Sequence, residues 1–374
     1  MLNRIFKYPL VLFFILIIVS LTIFDLIEPI KYFSEVENRS LSKKPGFTLY
    51  NLFYNDYFNE YNKYINDQFI FRDYWIDLKS RIEYTLGKYE NNGIVYTKDN
   101  FMFEKYQNLN EDRLISNLEI IDNFLGDFKI NSTLMIIPNS YAIYSEQIPV
   151  GLKLVDQKEI INQINGYYKN YINIPDLITP LIKNKDNYIY YKTDHHWTSY
   201  GAYIAYCEYI KSLQLKPIDV DNLTQNTVAD FYGSYFSKAK LFNASSDTIT
   251  YFKNDNLDIL IDGKSYKGLH DLNKFDKRDK YSAFLRGNNG LTIIKNNDIS
   301  NDRKKTKLLV IKDSYANCFI DFLIYNFEEI YVIDLRSYNK KLSEFMRENS
   351  FTDILIMYNF INIADDVNIS KLKY

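Results

Sequence analysis

The stretch that decides the fold is "KLLVIKDSYANCFIDFLIY", Lys307–Tyr325. Its apolar run, Leu308–Ile311, has the length and composition of a strand buried on both faces. The strand ends at Asp313-Ser314, and a helical pattern follows at once. The same alternation recurs downstream. "EIYVIDLRS" (329–337) is a strand followed by the helical "KKLSEFMREN" (340–349), and "DILIMYN" (353–359) is a third strand. Strand alternating with helix predicts parallel βαβ units, and ligands of such sheets bind beyond the carboxyl ends of the strands. Ser314, Arg336, Tyr358 and Asn359 all stand at those ends. Upstream, "STLMIIPNS" (132–140) is another buried strand, which places Asn139 in the same position.

Between these strands the chain reads as follows. Helical periodicity covers 51–67, 70–87, 110–125, 156–170 and 198–213, with Asn110 and Thr198 or Ser199 as N-caps. "GIVYTKDNFMFE" (93–104) is two short strands around a turn, and 222–300 is irregular and polar, with short strands and loops.

At the N-terminus, Tyr8–Phe24 is an uncharged apolar run with Arg4 and Lys7 before it and Asp25 and Glu28 after it. At about 1.5 Å per residue it approaches a bilayer span. Cations ahead of the run place the N-terminus in the cytoplasm and the bulk outside. A cleaved signal peptide is the competing reading, but no small-x-small site follows, so an uncleaved membrane anchor over residues 8–27 is expected. A net charge of −2 without basic runs gives no sign of nucleic-acid binding, and none is expected. Two cysteines, Cys207 and Cys318, can pair in an oxidising compartment or serve as small buried hydrophobes. The 35 tyrosines reflect a compositional bias toward Ile, Asn, Lys, Tyr and Phe, although tyrosine-rich surfaces can stack on sugars.

The chemistry concentrates in "NYIYYKTDHHW" (187–197), which reads as a strand and a turn and holds two of the three histidines. Side chains alternate along an extended chain, so Asp194 and His196 share a face and His195 points away. A carboxylate beside an imidazole fixes its tautomer and makes His196 a general base for a nearby hydroxyl. On its own, the block reads first as a pair of hydrogen-bonded histidines closing a strand, and only second as a base with its carboxylate. Metal binding needs more ligands, and the only other histidine is His270, so no metal is expected. Ser314 at a strand–helix junction is an ordinary N-cap taken alone. With Asp194 and His196 it completes a Ser-His-Asp set, and its backbone N–H can stabilise an oxyanion. Tyr358 and Asn359 are candidate further donors, with Asn139 behind them. Arg336 either binds a substrate carboxylate or anchors a loop against Asp334.

"TDHHW" followed by a helix, with "KDSYA" more than a hundred residues later, resembles the DHHW protein family. That family is similar to the SGNH-hydrolase-like acetyltransferases of alginate O-acetylation. "ENRSLSKKPGF", "NDQFIFRD", "IYSEQIP" and "DFYGSYFSKA" fit the same resemblance, which covers nearly everything after the anchor. It implies an SGNH-hydrolase-like (flavodoxin-like) α/β fold, a parallel sheet with helices on both faces. The Asp-x-His pair falls on Asp194 and His196, the serine on Ser314, and the block-closing asparagine on Asn359 or is served by Tyr358. Glycine usually stands two before the serine in SGNH enzymes; here "KDS" departs from that pattern.

Three segments are expected: a cytoplasmic start and anchor (1–27), a helical accessory region (28–108), and a catalytic domain (109–374) with an irregular insertion at about 222–300. The expected function is a membrane-anchored, extracytoplasmic O-acetyltransferase or acetylesterase acting on a polysaccharide. A membrane-bound O-acyltransferase is its implied acetyl donor, and no cofactor is expected. The alternative is a non-catalytic polysaccharide-binding or assembly protein that keeps the fold.

Overall fold

The computed structural model describes residues 8–53, 56–97, 99–128, 130–168, 172–254, 256–297 and 307–373. The chain divides into two units, Met1–Asn91 with Lys240–Asn243, and Asn92–Ala239 with Ala244–Tyr374.

The first unit contains the helices Pro9–Ile27, Asp56–Gln68 and Arg72–Thr85. Pro9–Ile27 carries its apolar side chains exposed, Leu10, Phe13 and Phe14 among them. No helix among the described residues is long and apolar enough to cross a membrane. The expected span is therefore not found among them, and Arg4 and Lys7 lie outside them.

Elsewhere in this unit, the segments "ENRS" and "NDQFIFRD" meet. Arg39 grips Asp67 through two nitrogens at 2.5 and 3.0 Å. Asp67 also accepts from the backbone and hydroxyl of Ser42, both at 2.8 Å. Glu37 takes Arg72 at 2.5 Å and pairs with Lys240. Burial works against charge on Asp67, but the Arg39 hydrogen bonds dominate and hold its carboxyl well below the usual aspartate range.

The second unit is built on a seven-stranded sheet. In chain order its strands are β1 (Asn131–Ile137), β2 (Leu257–Ile261), β3 (Lys264–Tyr266), β4 (Leu291–Asn296), β5 (Lys307–Lys312), β6 (Glu329–Asp334) and β7 (Asp353–Asn359). Their spatial order is β3-β2-β4-β6-β5-β7-β1. Strands β6, β5, β7 and β1 run parallel. β4, β2 and β3 extend the sheet antiparallel. The sheet is thus mixed, where an all-parallel one was expected. Asp262 and Gly263 both adopt positive φ, 46° and 83°, which makes the tight hairpin that turns β2 back into β3. Three strands of the sheet come from the 222–300 segment, where short strands and loops were expected but not their place in the main sheet.

Alternation along the strands separates two cores. Leu308 and Val310 join the helices Ser199–Ser212 and Ala316–Leu323 on one face. Leu309 and Ile311 join Glu111–Gly126, Gln157–Tyr168 and Leu342–Glu348 on the other. Each of these four β5 side chains is fully buried, a contribution of about 1.5–3 kcal/mol apiece. Helices therefore cover both faces, as the buried apolar strands require. Two expected caps form: the Asn110 side chain accepts from Arg113 N, and that of Thr198 from Gly201 N. Cys207 and Cys318 are free thiols, Cys318 fully buried.

Candidate active site

β5 lies between two parallel neighbours, so its carboxyl end is the centre of the parallel part of the sheet. Residues 313–315 form the turn between β5 and the helix Ala316–Leu323. Asp313 locks that turn. One of its oxygens accepts from Tyr315 N at 2.9 Å. The other accepts from Asn359 N at 2.8 Å, Asn359 Nδ2 at 2.6 Å and Asn362 Nδ2 at 2.9 Å. The end of β7 is thereby tied to the start of the serine turn. Burial raises the Asp313 carboxyl against these donors.

Residues 190–197 form a narrow loop rather than a regular strand. Tyr190 and Trp197 bridge antiparallel at its base. Trp197 Nε1 donates to Tyr315 O at 2.9 Å, and Tyr315 OH donates to His195 O. These bonds clamp the loop onto the serine turn. Asp247 braces the loop from behind, accepting from Lys192 N at 2.9 Å and Thr193 N at 2.8 Å.

Asp194, His196 and Ser314 come together in one hydrogen-bonded line. His196 Nδ1 lies 2.6 Å from Asp194 Oδ1, and Nε2 lies 2.8 Å from Ser314 Oγ. An ionised carboxylate can only accept, so Nδ1 carries the proton and Nε2 faces the hydroxyl as acceptor. Asp194 is further held by His196 N at 2.9 Å and Ser234 N at 2.7 Å. All three side chains are buried, Ser314 being 8% exposed. Burial, then the neighbouring His195, lowers His196 to about 3 against the pull of Asp194. His196 is therefore neutral at physiological pH, the form a base requires. Burial opposes charge on Asp194 as well, but His195 and His196 hold it well below the usual range.

His195 does not point away. Its ring centroid lies 3.7 Å from that of His196, and its Nδ1 is 2.6 Å from Ser234 Oγ. The loop curls at residues 193–196, so the strict alternation of an extended strand does not hold there. Asp194, His195 and His196 bring their ligating atoms within 4.8 Å of one another, a spacing that a metal could use. In this arrangement both His196 nitrogens and His195 Nδ1 are engaged in hydrogen bonds.

The other expected site residues separate. Asn139 stands beside the serine turn: its Nδ2 donates to Tyr315 OH at 3.2 Å. Gln157 orients it, accepting from Asn139 N at 2.8 Å and donating to Oδ1 at 3.1 Å. Asn359 is at the site, but its amide serves Asp313, and its Oδ1 accepts from Asn362 N. The Tyr358 side chain packs into the second core with Ile354 and Ile356, because alternation along β7 turns it to the face opposite that core's partner. It is not brought to Ser314. Arg336 pairs bidentately with Asp334 at 2.8 and 2.6 Å, which is the anchoring arrangement of the two weighed above. Asp334 also accepts from buried Lys312 at 3.2 Å. Burial brings the Lys312 amine down to about 8.

Three contributors escaped sequence reasoning. Tyr281 stacks on His196 with centroids 3.7 Å apart and planes 10° from parallel. Gly233 and Ser234 cradle Asp194. Gly233 and Ser234 were visible only as part of "DFYGSYFSKA", and nothing local marks Tyr281.

A line of carboxylate, imidazole and hydroxyl at the end of a parallel strand can activate the hydroxyl as a nucleophile. Comparison with known proteins places this arrangement in context. The family model described as DHHW protein matches residues 90–333. Among solved structures, a DHHW family protein from Eubacterium siraeum superposes with TM-score 0.65 at 23% identity, covering 76% of this chain and 96% of that one. Bacillus cereus PatB1 with a sulfonyl adduct gives TM-score 0.61 at 18% identity, covering 74% and 98%. The O-acetyltransferase domain of Pseudomonas putida AlgJ gives 0.47 at 15%, covering 75% and 98%. The first two likenesses show a shared fold. No curated protein matches.

Proposed function

This chain belongs to the DHHW protein family, and from that premise we propose that it is a serine-dependent O-acetyltransferase or acetylesterase acting on a polysaccharide. The observation that carries the reading is the continuous path from Asp194 through His196 to Ser314, with spacings of 2.6 and 2.8 Å.

Ser314 Oγ attacks the carbonyl carbon of an acetyl ester. Its proton passes to His196 Nε2, and Asp194 stabilises the imidazolium. The tetrahedral oxyanion is held by the Ser314 N–H and by the Asn139 amide, which Gln157 holds beside the serine turn and which gives up its long contact to Asn359 Oδ1 to reach the oxyanion. His196 then protonates the leaving oxygen, and the acetyl group stays on Ser314. A sugar hydroxyl, or water in the esterase direction, gives its proton to His196 and takes the acetyl group. Acetyl groups delivered by a membrane-bound O-acyltransferase would enter by the same serine.

The location is part of this proposal. The helix Pro9–Ile27 exposes its apolar side chains and carries one ionisable residue, Asp25. In our reading it attaches the chain to the membrane and leaves the bulk extracytoplasmic. Fractionation of cells making the full chain or residues 28–374 tests this; equal recovery of both in the soluble fraction would exclude attachment.

Acetate release from a chromogenic acetyl ester, and then from an acetylated polysaccharide, tests the chemistry. Release by the wild type and none by Ser314→Ala is expected. Folded wild type that neither releases acetate nor acquires an acetyl group on Ser314 from an acetyl donor would refute the proposal.

A further inference from the structure

We propose that Tyr281 is a positioning residue that holds the His196 imidazole against Ser314 and favours its charged form as the reaction proceeds. This inference rests on the serine-relay reading above.

His196 is sandwiched. Tyr281 and His195 each lie 3.7 Å from its ring centroid, and two rings cannot occupy that position over the same face. The Tyr281 ring is parallel to the imidazole within 10°, so its π-face covers it. The phenol fixes this pose from the far end, donating to Ser314 O at 3.1 Å and reaching Cys318 Sγ at 3.4 Å. One residue therefore touches both the base and the backbone of the nucleophile. Burial keeps the Tyr281 phenol protonated, so that it remains a donor.

The two faces act in opposite senses. When Ser314 Oγ bonds to carbon, its proton moves to Nε2 and His196 becomes a cation. A charged His195, and Arg336 at the end of β6, both oppose that charge. Asp194, at Nδ1, favours it. So does the face of an aromatic ring, whose quadrupole attracts a desolvated cation and gains little from a neutral ring. Tyr281 thus stabilises the later state more than the resting one, which is the condition for lowering a barrier.

The test uses the full chain and phenylmethylsulfonyl fluoride. Its sulfur bonds to Ser314 Oγ, fluoride leaves, and the proton goes to His196. Intact-mass spectrometry follows the labelling rate across pH for wild type, Tyr281→Phe, Tyr281→Leu, Tyr281→Met and Ser314→Ala, with folding checked by circular dichroism. Phe keeps the ring, so labelling within about threefold of wild type and an unmoved pH midpoint are expected. Leu removes the ring; labelling about tenfold slower, with the midpoint displaced to lower pH, is expected. Met carries the same expectation if Leu does not fold. Equal losses in Phe and Leu with no shift in midpoint, or a Leu variant as fast as wild type, would overturn the role of Tyr281 while leaving the relay intact. If wild type takes no label at Ser314, the relay reading falls, and this inference falls with it.

Discussion

Gly233 lies directly against the side chain of Asp194. A Cβ built on Gly233 would stand 2.1 Å from Asp194 Cβ and 2.4 Å from its Oδ2. No rotamer change of a flexible tip relieves that overlap, because the Asp194 backbone is also only 2.6 Å away. Gly233→Ala is therefore expected to displace Asp194 from His196. Activity on an acetyl ester should fall at least about a hundredfold, with about 1–3 kcal/mol of lost stability in urea unfolding. An alanine variant with wild-type activity would show that the Asp194 position is not needed.

The hydrogen-bonded line predicts a hierarchy among its neighbours. Ser314→Ala and His196→Ala should each reduce kcat by about a thousandfold or more. Together they should cost little more than either alone, since the two act as a unit. His195→Ala keeps both bonds of the line and should retain measurable turnover. Steady-state kinetics of the four proteins decide this, and additive losses would contradict a shared step.

The pH dependence follows from His196. Burial and His195 lower it to about 3. A base works unprotonated, so a lowered pKa extends activity toward acid. The acid limb of kcat/KM is expected well below the ordinary histidine value of about 6.5. A limb centred at about 6.5 would mean that burial and His195 do not depress His196 in the free enzyme.

Asp67 makes a stability prediction in the first unit. It accepts four hydrogen bonds from Arg39 and Ser42. Asp67→Asn should cost about 1–3 kcal/mol at neutral pH. The folded carboxyl titrates below the unfolded one, so its stabilisation is full above about pH 4 and is lost as pH falls through the folded value. The gap between wild type and variant should therefore close in acid. Urea unfolding at several pH values checks this, and a gap independent of pH would refute the ionic origin.

What the sequence reveals here is what repeats locally. Buried runs such as Leu308–Ile311 and helical periods such as 110–125 mark strands and helices, and Asn110 and Thr198 mark caps. The pairing of Asp194 with His196 was legible from their spacing, but what joins them is the curled loop, in which His196 N also donates to Asp194 Oδ1, and not the alternation of an extended chain. The curl that brings His195 onto its neighbour depends on Asp247 and Tyr315, 50 and more positions away, and leaves no local trace. The antiparallel end of the sheet had a readable cue, the Asp262-Gly263 turn, in a segment whose short strands were expected but whose place in the main sheet was not. Tyr281 has no cue of this kind: it resembles any other tyrosine until the fold lays it on His196.

The bond between His196 and Ser314 spans 118 positions of the chain. Between them lie the outer hairpin of the sheet, the Gly233 cradle and the Tyr281 platform. Closing so long a loop carries a large entropic cost that only completed packing offsets. The reactive pair thus exists only where the loop at 190–197 and the turn after β5 have been brought together. In synthesis, Ser314 emerges long after the histidines. A nascent or proteolytically shortened chain holds its imidazoles without their hydroxyl. Reactivity at Ser314 therefore serves as a readout of completed folding.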